Sequence, residues 1–354
     1  MISRLAGTQD FINLSLFNYI VTQSKKHFET YHFCEIATPI IERTELFRQS
    51  LKATTNLICT ERTAANAKES ACLRPEATSS MVRAFGQQGI TQIPWKVYTC
   101  GPMFRQEGKH YHQYNQLSVA LLGAPSCSYD VQLITMFDRF FSQTLSINNY
   151  ALRLNFLGCA EQCKIDHLCP TCEHEWAQIQ EQLDLLSVTY CWDPSLTPEF
   201  GYYKKTIFAF TSAQLGAQNK FCLGGRCNLG EQPQQPLGAA LEIDQLMHLL
   251  EPFKEILPLA QAPALTVIMP LGVEQQMLAL LIADNLRAQG LCVDLLMEPD
   301  SLQNMLQRAN KMGASYCLLL GKEEQAARIV TIKNMITGAE DKVQQIDIYA
   351  YLTR

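Results

Sequence analysis

Hydrophobic positions in the first three quarters of the chain follow two different spacings, which predicts a mixture of helices and strands. Leu14, Phe17, Val21 and Phe28 fall on one face of a helix predicted over residues 11–30, because the α-helix repeats every 3.6 residues. A strand-like segment over 33–41 is predicted to end around Thr38-Pro39. Further strands are predicted over 95–105, 113–122, 207–210 and 220–223, with a short strand beginning at Leu73. Helices are predicted over 42–51, 79–85, 130–145 and 176–186, an irregular segment over 52–71 and a turn over 107–112.

The pattern changes after a proline-rich stretch, 252–263, which reads as a linker. Strands and helices alternate beyond it. The predicted strands are 265–269, 291–297, 316–320 and 328–333, and the predicted helices are 274–288 and 302–311. This order predicts a small parallel or mixed sheet covered by helices. We therefore expect two domains, over residues 1–262 and 263–354.

Composition excludes several classes of protein. The chain of 354 residues is 47% apolar and 18% charged, which is typical of a packed rather than a disordered protein. Its net charge of −5 provides no overall basic field, so any RNA binding must use local patches. No apolar run approaches the length of a membrane span, and the first residues do not resemble a secretion leader. We expect a cytoplasmic protein without membrane association.

The chain has 14 cysteines, which is many for a cytoplasmic protein. A disulfide framework is not expected in a long chain without a secretion signal. Most of the cysteines occur singly in apolar surroundings, where a free thiol behaves as a small hydrophobic group. Those expected to be buried in this way include Cys34, Cys72, Cys100, Cys292 and Cys317.

Four further cysteines lie close together in a Cys-rich segment at about 157–190. Cys159, Cys163, Cys169 and Cys172 have the spacing C-x₃-C-x₅-C-x₂-C. Four thiolates can close a tetrahedral structural zinc site, and the second pair has the spacing of a zinc knuckle. The first pair is one residue too wide, so structural zinc and four free thiols both remain open. A catalytic metal is not expected, because no nearby base accompanies an open coordination position.

Several short motifs occur in an order that resembles class II aminoacyl-tRNA synthetases of the histidyl type, over nearly the whole chain. They are Thr38-Pro39, Arg74-Pro75-Glu76-Ala77-Thr78, Gly101-Pro102-Met103-Phe104-Arg105-Gln106-Glu107, Tyr202-Tyr203 and Gly224-Gly225-Arg226. The resemblance implies an α+β fold, in which an antiparallel sheet core flanked by helices is joined to a C-terminal α/β domain of the anticodon-binding type. It also implies a homodimer, because the proline of the first motif marks the family's dimer interface.

The resemblance implies that the site takes ATP, accompanied by Mg²⁺, and an amino acid. ATP is held bent, with its α-phosphate facing the amino-acid carboxylate, so a cation must screen the charge that develops. Arg105 matches the position that grips this phosphate and carboxylate. Glu107 matches the acceptor for the adenine amino group, and Tyr114 matches the aromatic residue that stacks on adenine.

The amino-acid side of the expected site rests on four residues. Glu76, Thr78 and Gln116 match the family positions that hold the ammonium group of the amino acid. Tyr203 matches a tyrosine that frames the imidazole of histidine.

The chain departs from the family pattern at positions that carry charge. Gln245 stands where an arginine would hold the γ-phosphate, and Pro198 stands where the histidyl family has a special arginine. Ala120 replaces a glutamate that would read the imidazole. The other departures are Cys227-Asn228 for a Tyr-Asp pair, and His110 and His112 for arginines. Lys204 and Lys205 are candidate replacement cations.

Three functions follow from this balance. The first, which we favour, is a paralogue that binds an adenine nucleotide and an amino acid without standard histidine activation. tRNA is a candidate partner of this paralogue. The second is a working histidine–tRNA ligase with a rearranged site. The third is a regulatory subunit of the ATP phosphoribosyltransferase of histidine biosynthesis, which ranks lowest because that class usually lacks the C-terminal domain.

Overall fold

The computed structural model describes residues 2–50, 62–63, 70–107, 110–159, 163, 167–197, 201–216, 219–229, 236–298 and 300–353. For 48–50, 62, 63, 70 and 107 it describes the backbone only. The chain divides into two compact units, Met1–Leu259 and Ala260–Arg354.

The first unit is built on a sheet of eight strands, most of them antiparallel, with the order β1-β5-β6-β11-β10-β9-β7-β8. These strands are β1 Cys34–Glu35, β5 Trp95–Glu107, β6 His110–Leu122, β7 Ala151–Phe156, β8 Cys191–Trp192, β9 Tyr203–Thr211, β10 Lys220–Cys227 and β11 Leu237–Glu242. A small second sheet contains β2 Ile41–Arg43, β3 Arg62–Thr63 and β4 Ser70–Leu73. The helices are α1 Ser15–Thr30, α2 Thr44–Ser50, α3 Thr78–Gln87, α4 Ser128–Arg139, α5 Pro170–Leu185 and α6 Ile243–Leu250.

Alternation along β6 shows how the main sheet separates a core from a site. Leu117, Val119 and Leu121 belong to the large hydrophobic cluster that also contains side chains of α1, α4, α5 and α6. Successive side chains of a strand point to opposite faces. Gln116 and Ala120 therefore lie on the other face, where a smaller cluster and a cavity are found.

The strand predicted from Phe33, with its end expected around Thr38-Pro39, is shorter in the structure. Only β1 and β2 are strands in this region, and the backbone between them is irregular. Pro39 has no N–H to donate to a ladder. Arg74 instead donates from Nη1 to the carbonyl and the hydroxyl oxygen of Thr38, at 3.2 and 3.0 Å. The buried side chain of Arg74 thus forms a hydrogen bond with a backbone carbonyl that would otherwise have bonded to a neighbouring strand.

Other elements also begin or end at residues that differ from the predicted ones. Leu73 ends β4 rather than beginning a strand, and the described parts of 52–71 are strand rather than irregular. The predicted turn over 107–112 is wrong at both ends, because Glu107 belongs to β5 and residues 110–112 belong to β6, where His112 pairs with Arg105. Helix α5 begins at Pro170 instead of residue 176, since proline is well suited to the first turn of a helix.

Three of the five single cysteines named above are not fully buried. Cys34 and Cys292 are exposed and Cys100 is half-buried, whereas Cys72 and Cys317 are buried as expected. Both exposed thiols lie in strands at the edge of their sheets, where only one neighbouring strand covers the backbone.

The second unit has the expected α/β arrangement. Its sheet has the order β13-β12-β14-β15-β16, in which β12 pairs in parallel with β13 and β14 while the remaining pairs are antiparallel. Helix α7 contributes to one hydrophobic cluster of this unit and α8 to the other. The elements are β12 Leu265–Pro270, α7 Gln276–Ala288, β13 Cys292–Leu295, α8 Leu302–Lys311, β14 Ala314–Leu320, α9 Lys322–Ala327, β15 Ile329–Asn334, β16 Glu340–Gln344 and α10 Ile348–Leu352.

A buried ion pair connects β10 to the beginning of α4. Arg226 is paired with Asp130, with Nη2 2.5 Å from Oδ2, and both side chains are almost fully buried. The guanidinium also donates to the carbonyl oxygens of Ala124 and Ser126, at 2.8 and 2.7 Å. All of these acceptors would lose their donor together if the arginine were removed.

We therefore expect Arg226→Met to lower the free energy of unfolding of this protein by about 3–5 kcal/mol, because it leaves a buried carboxylate without a partner. Arg153→Met is the matched control, since Arg153 pairs with Asp193 from a side chain that is 44% exposed. That change should cost about 1 kcal/mol or less. Urea denaturation of the two variants measures both values, and equal losses would contradict the assignment.

Candidate ligand-binding site

A cavity of about 420 Å³ lies on the sheet face opposite the large hydrophobic cluster. This volume falls within the range of about 300–1,000 Å³ typical of small-molecule sites. Its walls come from β5, β6, β9, β10 and β11, from the first turn of α3 and from α6. Six of the seven predicted small-molecule contacts line it together, namely Glu76, Thr78, Arg105, Tyr114, Gln116 and Tyr203. The side chain of the seventh, Glu107, lies outside the described residues, as does the whole of Pro198.

One end of the cavity presents oxygen atoms. Glu76, Thr78 and Gln116 are all buried there. Both oxygens of the Glu76 carboxyl accept from the backbone N–H of Ser79, each at 3.2 Å, at the start of α3. Oε1 of Gln116 accepts from the hydroxyl of Ser118 at 3.0 Å. Such a group of acceptors suits the donors of a primary ammonium ion.

Burial sets the protonation behaviour of this end. Desolvation raises the pKa of Glu76 above its usual range, and the hydrogen bonds from Ser79 and Thr78 oppose this only in part. An ammonium ion binds best to the ionised carboxylate. The affinity of an amine ligand should therefore increase as the pH rises through this raised pKa.

Arg105 and Tyr114 form a second wall. The guanidinium carbon of Arg105 lies 5.0 Å from the centre of the Tyr114 ring, a cation–π arrangement. The Tyr114 hydroxyl donates to the carbonyl oxygen of Pro75 at 3.1 Å, which fixes the direction of the ring. One face of the tyrosine is therefore covered by a cation, and a stacked ligand ring would use the other face or displace the guanidinium.

The third wall is aromatic. Tyr202 and Tyr203 have ring centres 4.8 Å apart, and both side chains are buried. Desolvation raises the pKa of Tyr202 well above its usual range, so this phenol stays neutral. Ala120 is fully buried in the adjoining hydrophobic cluster together with Cys227. Neither of these two side chains is among the described lining residues of the cavity.

The charge around the cavity is balanced. Arg105 and Lys220 are the only lysine or arginine residues among its described lining residues, and Glu76 and Glu242 are the only acidic ones. Sequence reasoning missed Lys220 and Glu242 as lining residues. Gln245 and His112 also line the cavity, so two of the family departures lie at the site itself.

The two candidate replacement cations are not found at the cavity. Lys205 forms an ion pair with Glu175 of α5 at 2.9 Å, and neither Lys204 nor Lys205 is among the described lining residues. Arg226 is engaged by Asp130, as described above. Lys220 is thus a cationic lining residue that the sequence analysis did not predict.

Comparisons with known proteins give a consistent picture. Residues 266–354 match the family model described as "Anticodon binding domain". The whole chain is 28% identical over 416 residues to a protein named "Histidine--tRNA ligase" from Solidesulfovibrio magneticus, covering 99% of this chain and 97% of that protein. It also superposes on apo histidyl-tRNA synthetase of Staphylococcus aureus with a TM-score of 0.81 and 26% identity, covering 99% of both chains. This chain is a histidyl-tRNA synthetase-like member of the class II aminoacyl-tRNA synthetases.

The predicted family and fold class are thereby confirmed for this synthetase-like chain. A further structure, titled as an ATP phosphoribosyltransferase regulatory subunit/histidyl-tRNA synthetase from Bacillus halodurans, superposes with a TM-score of 0.69 at 16% identity and covers 91% of this chain. At that identity the likeness establishes the shared fold alone. Among the described residues, none of the helices is both long and apolar enough to cross a bilayer.

The four clustered cysteines of this synthetase-like chain converge outside the cavity. The sulfur atoms of Cys159, Cys163, Cys169 and Cys172 all lie within 4.8 Å of one another. The Cys159 sulfur is 3.7 Å from that of Cys163 and 3.8 Å from that of Cys169. A tetrahedron with Zn–S bonds of about 2.3 Å separates its sulfurs by about 3.8 Å. The cluster therefore fits a four-thiolate ion site, and these sulfurs are too far apart for disulfides, whose S–S length is about 2 Å.

Glu76→Gln tests the buried carboxyl. An acid with a raised folded-state pKa contributes stability that is greatest below its unfolded-state pKa and is lost as the pH rises through the folded-state pKa. We expect the variant to be more stable than the parent at pH 8 and to lose this advantage near pH 4, in thermal unfolding as a function of pH. Glu181→Gln, an exposed change on α5, should alter neither value. A Glu76→Gln protein less stable than the parent at pH 8 would contradict the desolvated carboxyl.

Proposed function

We propose that this chain binds an adenine nucleotide and an amino acid in the cavity but activates histidine far more slowly than an ordinary histidyl-tRNA synthetase. The observation that carries the proposal is the composition of the cavity. Groups suited to an ammonium ion, Glu76, Thr78 and Gln116, share it with Arg105 and Tyr114, while Gln245 occupies the wall near α6. The groups for holding ligands are present, and those for stabilising phosphate charge are reduced.

The proposed loss follows from the chemistry of adenylation. In that reaction the amino-acid carboxylate attacks the α-phosphorus of ATP, pyrophosphate leaves, and negative charge must be stabilised on both sides of the phosphorus. Arg105 would stabilise the α-phosphate side. The leaving pyrophosphate would lack the contact that an arginine at Gln245 provides, and one such cation is worth roughly 3 kcal/mol, or about a hundredfold in rate. Mg²⁺ would accompany ATP and offset part of this charge.

A working histidine–tRNA ligase is the second candidate, and Lys220 favours it. This lysine lines the same cavity and could screen the phosphate tail in place of the missing arginine. Nearly full-length similarity to proteins named as histidine–tRNA ligases supports this candidate as well. A regulatory subunit of ATP phosphoribosyltransferase ranks below both. Residues 266–354 match an anticodon-binding family, which is a domain that the regulatory function does not require.

The remaining partners follow from the family. We propose a cytoplasmic homodimer, formed through the segment around Pro39, that uses its C-terminal unit to contact tRNA. We also propose that Cys159, Cys163, Cys169 and Cys172 hold one structural zinc ion. The amide of Cys169 donates to the Cys163 sulfur at 3.3 Å, a backbone contact that stabilises a thiolate ligand. Such an ion would contribute folding energy and no catalytic step, because four protein ligands close its coordination.

We expect histidine-dependent ATP–pyrophosphate exchange to be at least about a hundredfold slower than in an ordinary histidyl-tRNA synthetase, because the Gln245 position has lost its cation. Gln245→Arg alone should not restore exchange, since Ala120 and Cys227 replace the polar family residues that recognise the imidazole of histidine. Lys220→Met separates the two leading candidates, with the exposed Lys322→Met as control. If exchange proceeds at the rate of an ordinary histidyl-tRNA synthetase and is abolished in Lys220→Met, the working ligase is established.

Nucleotide selectivity provides an independent measurement. We expect calorimetry to give dissociation constants for ATP and AMP that differ by less than about thirtyfold, or roughly 2 kcal/mol. The two nucleotides differ only in a tail for which the cavity offers little cationic contact. A larger preference for ATP that disappears in Lys220→Met would assign the phosphate contact to this lysine and contradict the proposal.

A further inference from the structure

Lys205 joins the four-cysteine cluster to the aromatic wall of the cavity. Its backbone N–H donates to the carbonyl oxygen of Gly158 at 3.0 Å, and its own carbonyl accepts from the N–H of Leu157 at 2.6 Å. Its ammonium group pairs with Glu175 at 2.9 Å. Three contacts of one residue therefore reach the two segments that carry the cysteines.

On the side of the cluster, these partners are next to the cysteines in sequence. Gly158 immediately precedes Cys159, and Glu175 follows Cys172 by three residues on α5. Gly158 has φ +72°, and a Cβ atom there would lie 2.7 Å from the Cys163 sulfur. The backbone that Lys205 contacts is thus packed directly against a member of the cluster, and movement of the cysteines must displace it.

On the side of the cavity, Lys205 lies two residues beyond Tyr203 at a break in the strand pairing. Ile207 pairs with Gly225 of β10, and Lys204 pairs with the next residue, Arg226, so Lys205 and Thr206 are extra residues of a β-bulge. Lys205 accordingly has φ +55°. Bulges redirect neighbouring side chains, and Tyr202 and Tyr203, which immediately precede this bulge, line the cavity.

We propose that Lys205 is a positioning residue, through which zinc held by the four cysteines orders the Tyr202–Tyr203 wall and strengthens ligand binding in the cavity. The proposal rests on the proposed function for both the zinc and the small-molecule site. It does not make zinc part of any reaction. The ion fixes the ends of β7 and α5, these hold Lys205, and Lys205 sets the start of β9.

Hydrogen exchange tests this coupling without any ligand. The protein is stripped of metal with a chelator and reloaded with zinc, and uptake of about one equivalent is checked by metal analysis and by the visible spectrum of a Co²⁺-substituted sample. We expect the amides of 203–207 to exchange at least about tenfold faster without zinc, which corresponds to roughly 1.4 kcal/mol of local opening. The central part of the β5–β6 hairpin, which carries none of the four cysteines, should be unchanged.

Variants separate positioning from a general loss of structure. Glu175→Gln and Lys205→Met should retain about one zinc and the parent melting temperature to within a few degrees. Both should nevertheless exchange faster at 203–207 and weaken binding of AMP or histidine by about threefold to tenfold, whichever of these probes the parent binds. Lys205→Arg keeps the ion pair and should behave as the parent. Glu181→Gln on the same helix is the matched control.

The outcomes are distinguishable. Exchange at 203–207 that is identical with and without zinc, zinc uptake below about half an equivalent even when zinc is added, or a Glu181→Gln effect equal to that of Glu175→Gln would each overturn the coupling. If neither AMP, ATP nor any amino acid binds the zinc-loaded parent protein, the proposed function fails, and the exchange experiment alone decides the role of Lys205.

Discussion

The buried pair of Arg226 and Asp130 is the constraint on which the site depends. The guanidinium is almost fully buried, so β10 is held in the sheet together with Asp130 of α4 and with the carbonyls of Ala124 and Ser126 in the segment that precedes α4. Strand β10 in turn supplies Lys220 and Leu223 to the cavity. The electrostatics of the core thereby determine the geometry of a site on the opposite face of the sheet.

The cavity combines strong selection for an ammonium group with weak selection for a phosphate tail. The buried carboxylate of Glu76 will favour an ammonium group, because an ionised carboxylate that is desolvated and lacks a positively charged partner is costly. The other charged lining residues are Arg105, Lys220 and Glu242, a balance that screens a polyphosphate only weakly. Selectivity for the amino group and tolerance toward the phosphate tail would then be properties of the same small volume.

How far the sequence allowed these features to be predicted varies with their physical origin. Periodicity located α8 correctly, since its apolar and polar faces are strongly separated. The convergence of the four cysteines followed from their spacing, although one gap is wider than usual. Strand β16, by contrast, was missed, because its charged side chains at a sheet edge carry no hydrophobic alternation. Helix α9 was missed for a similar reason, being six residues long with no buried side chain.

The site residues divide in the same way. Motif spacing brought Glu76, Arg105 and Gln116 into one hypothesis, because each motif is local in sequence. Lys220 and Glu242 could not be assigned without knowing the register of β10 against β11 and the irregularity after Lys220. The register of distant strands depends on tertiary packing, which a single sequence does not reveal.

The left-handed backbone of Lys205 limits how this protein can change by substitution. Glycine is the residue that adopts such a conformation without steric cost, whereas a lysine pays on the order of 1 kcal/mol. Replacement of Lys205 by glycine would therefore relax the backbone and simultaneously remove the ion pair with Glu175. A more stable fold and a looser connection between the cysteines and the tyrosines would be reached in one step, so selection on stability alone would tend to erode this connection.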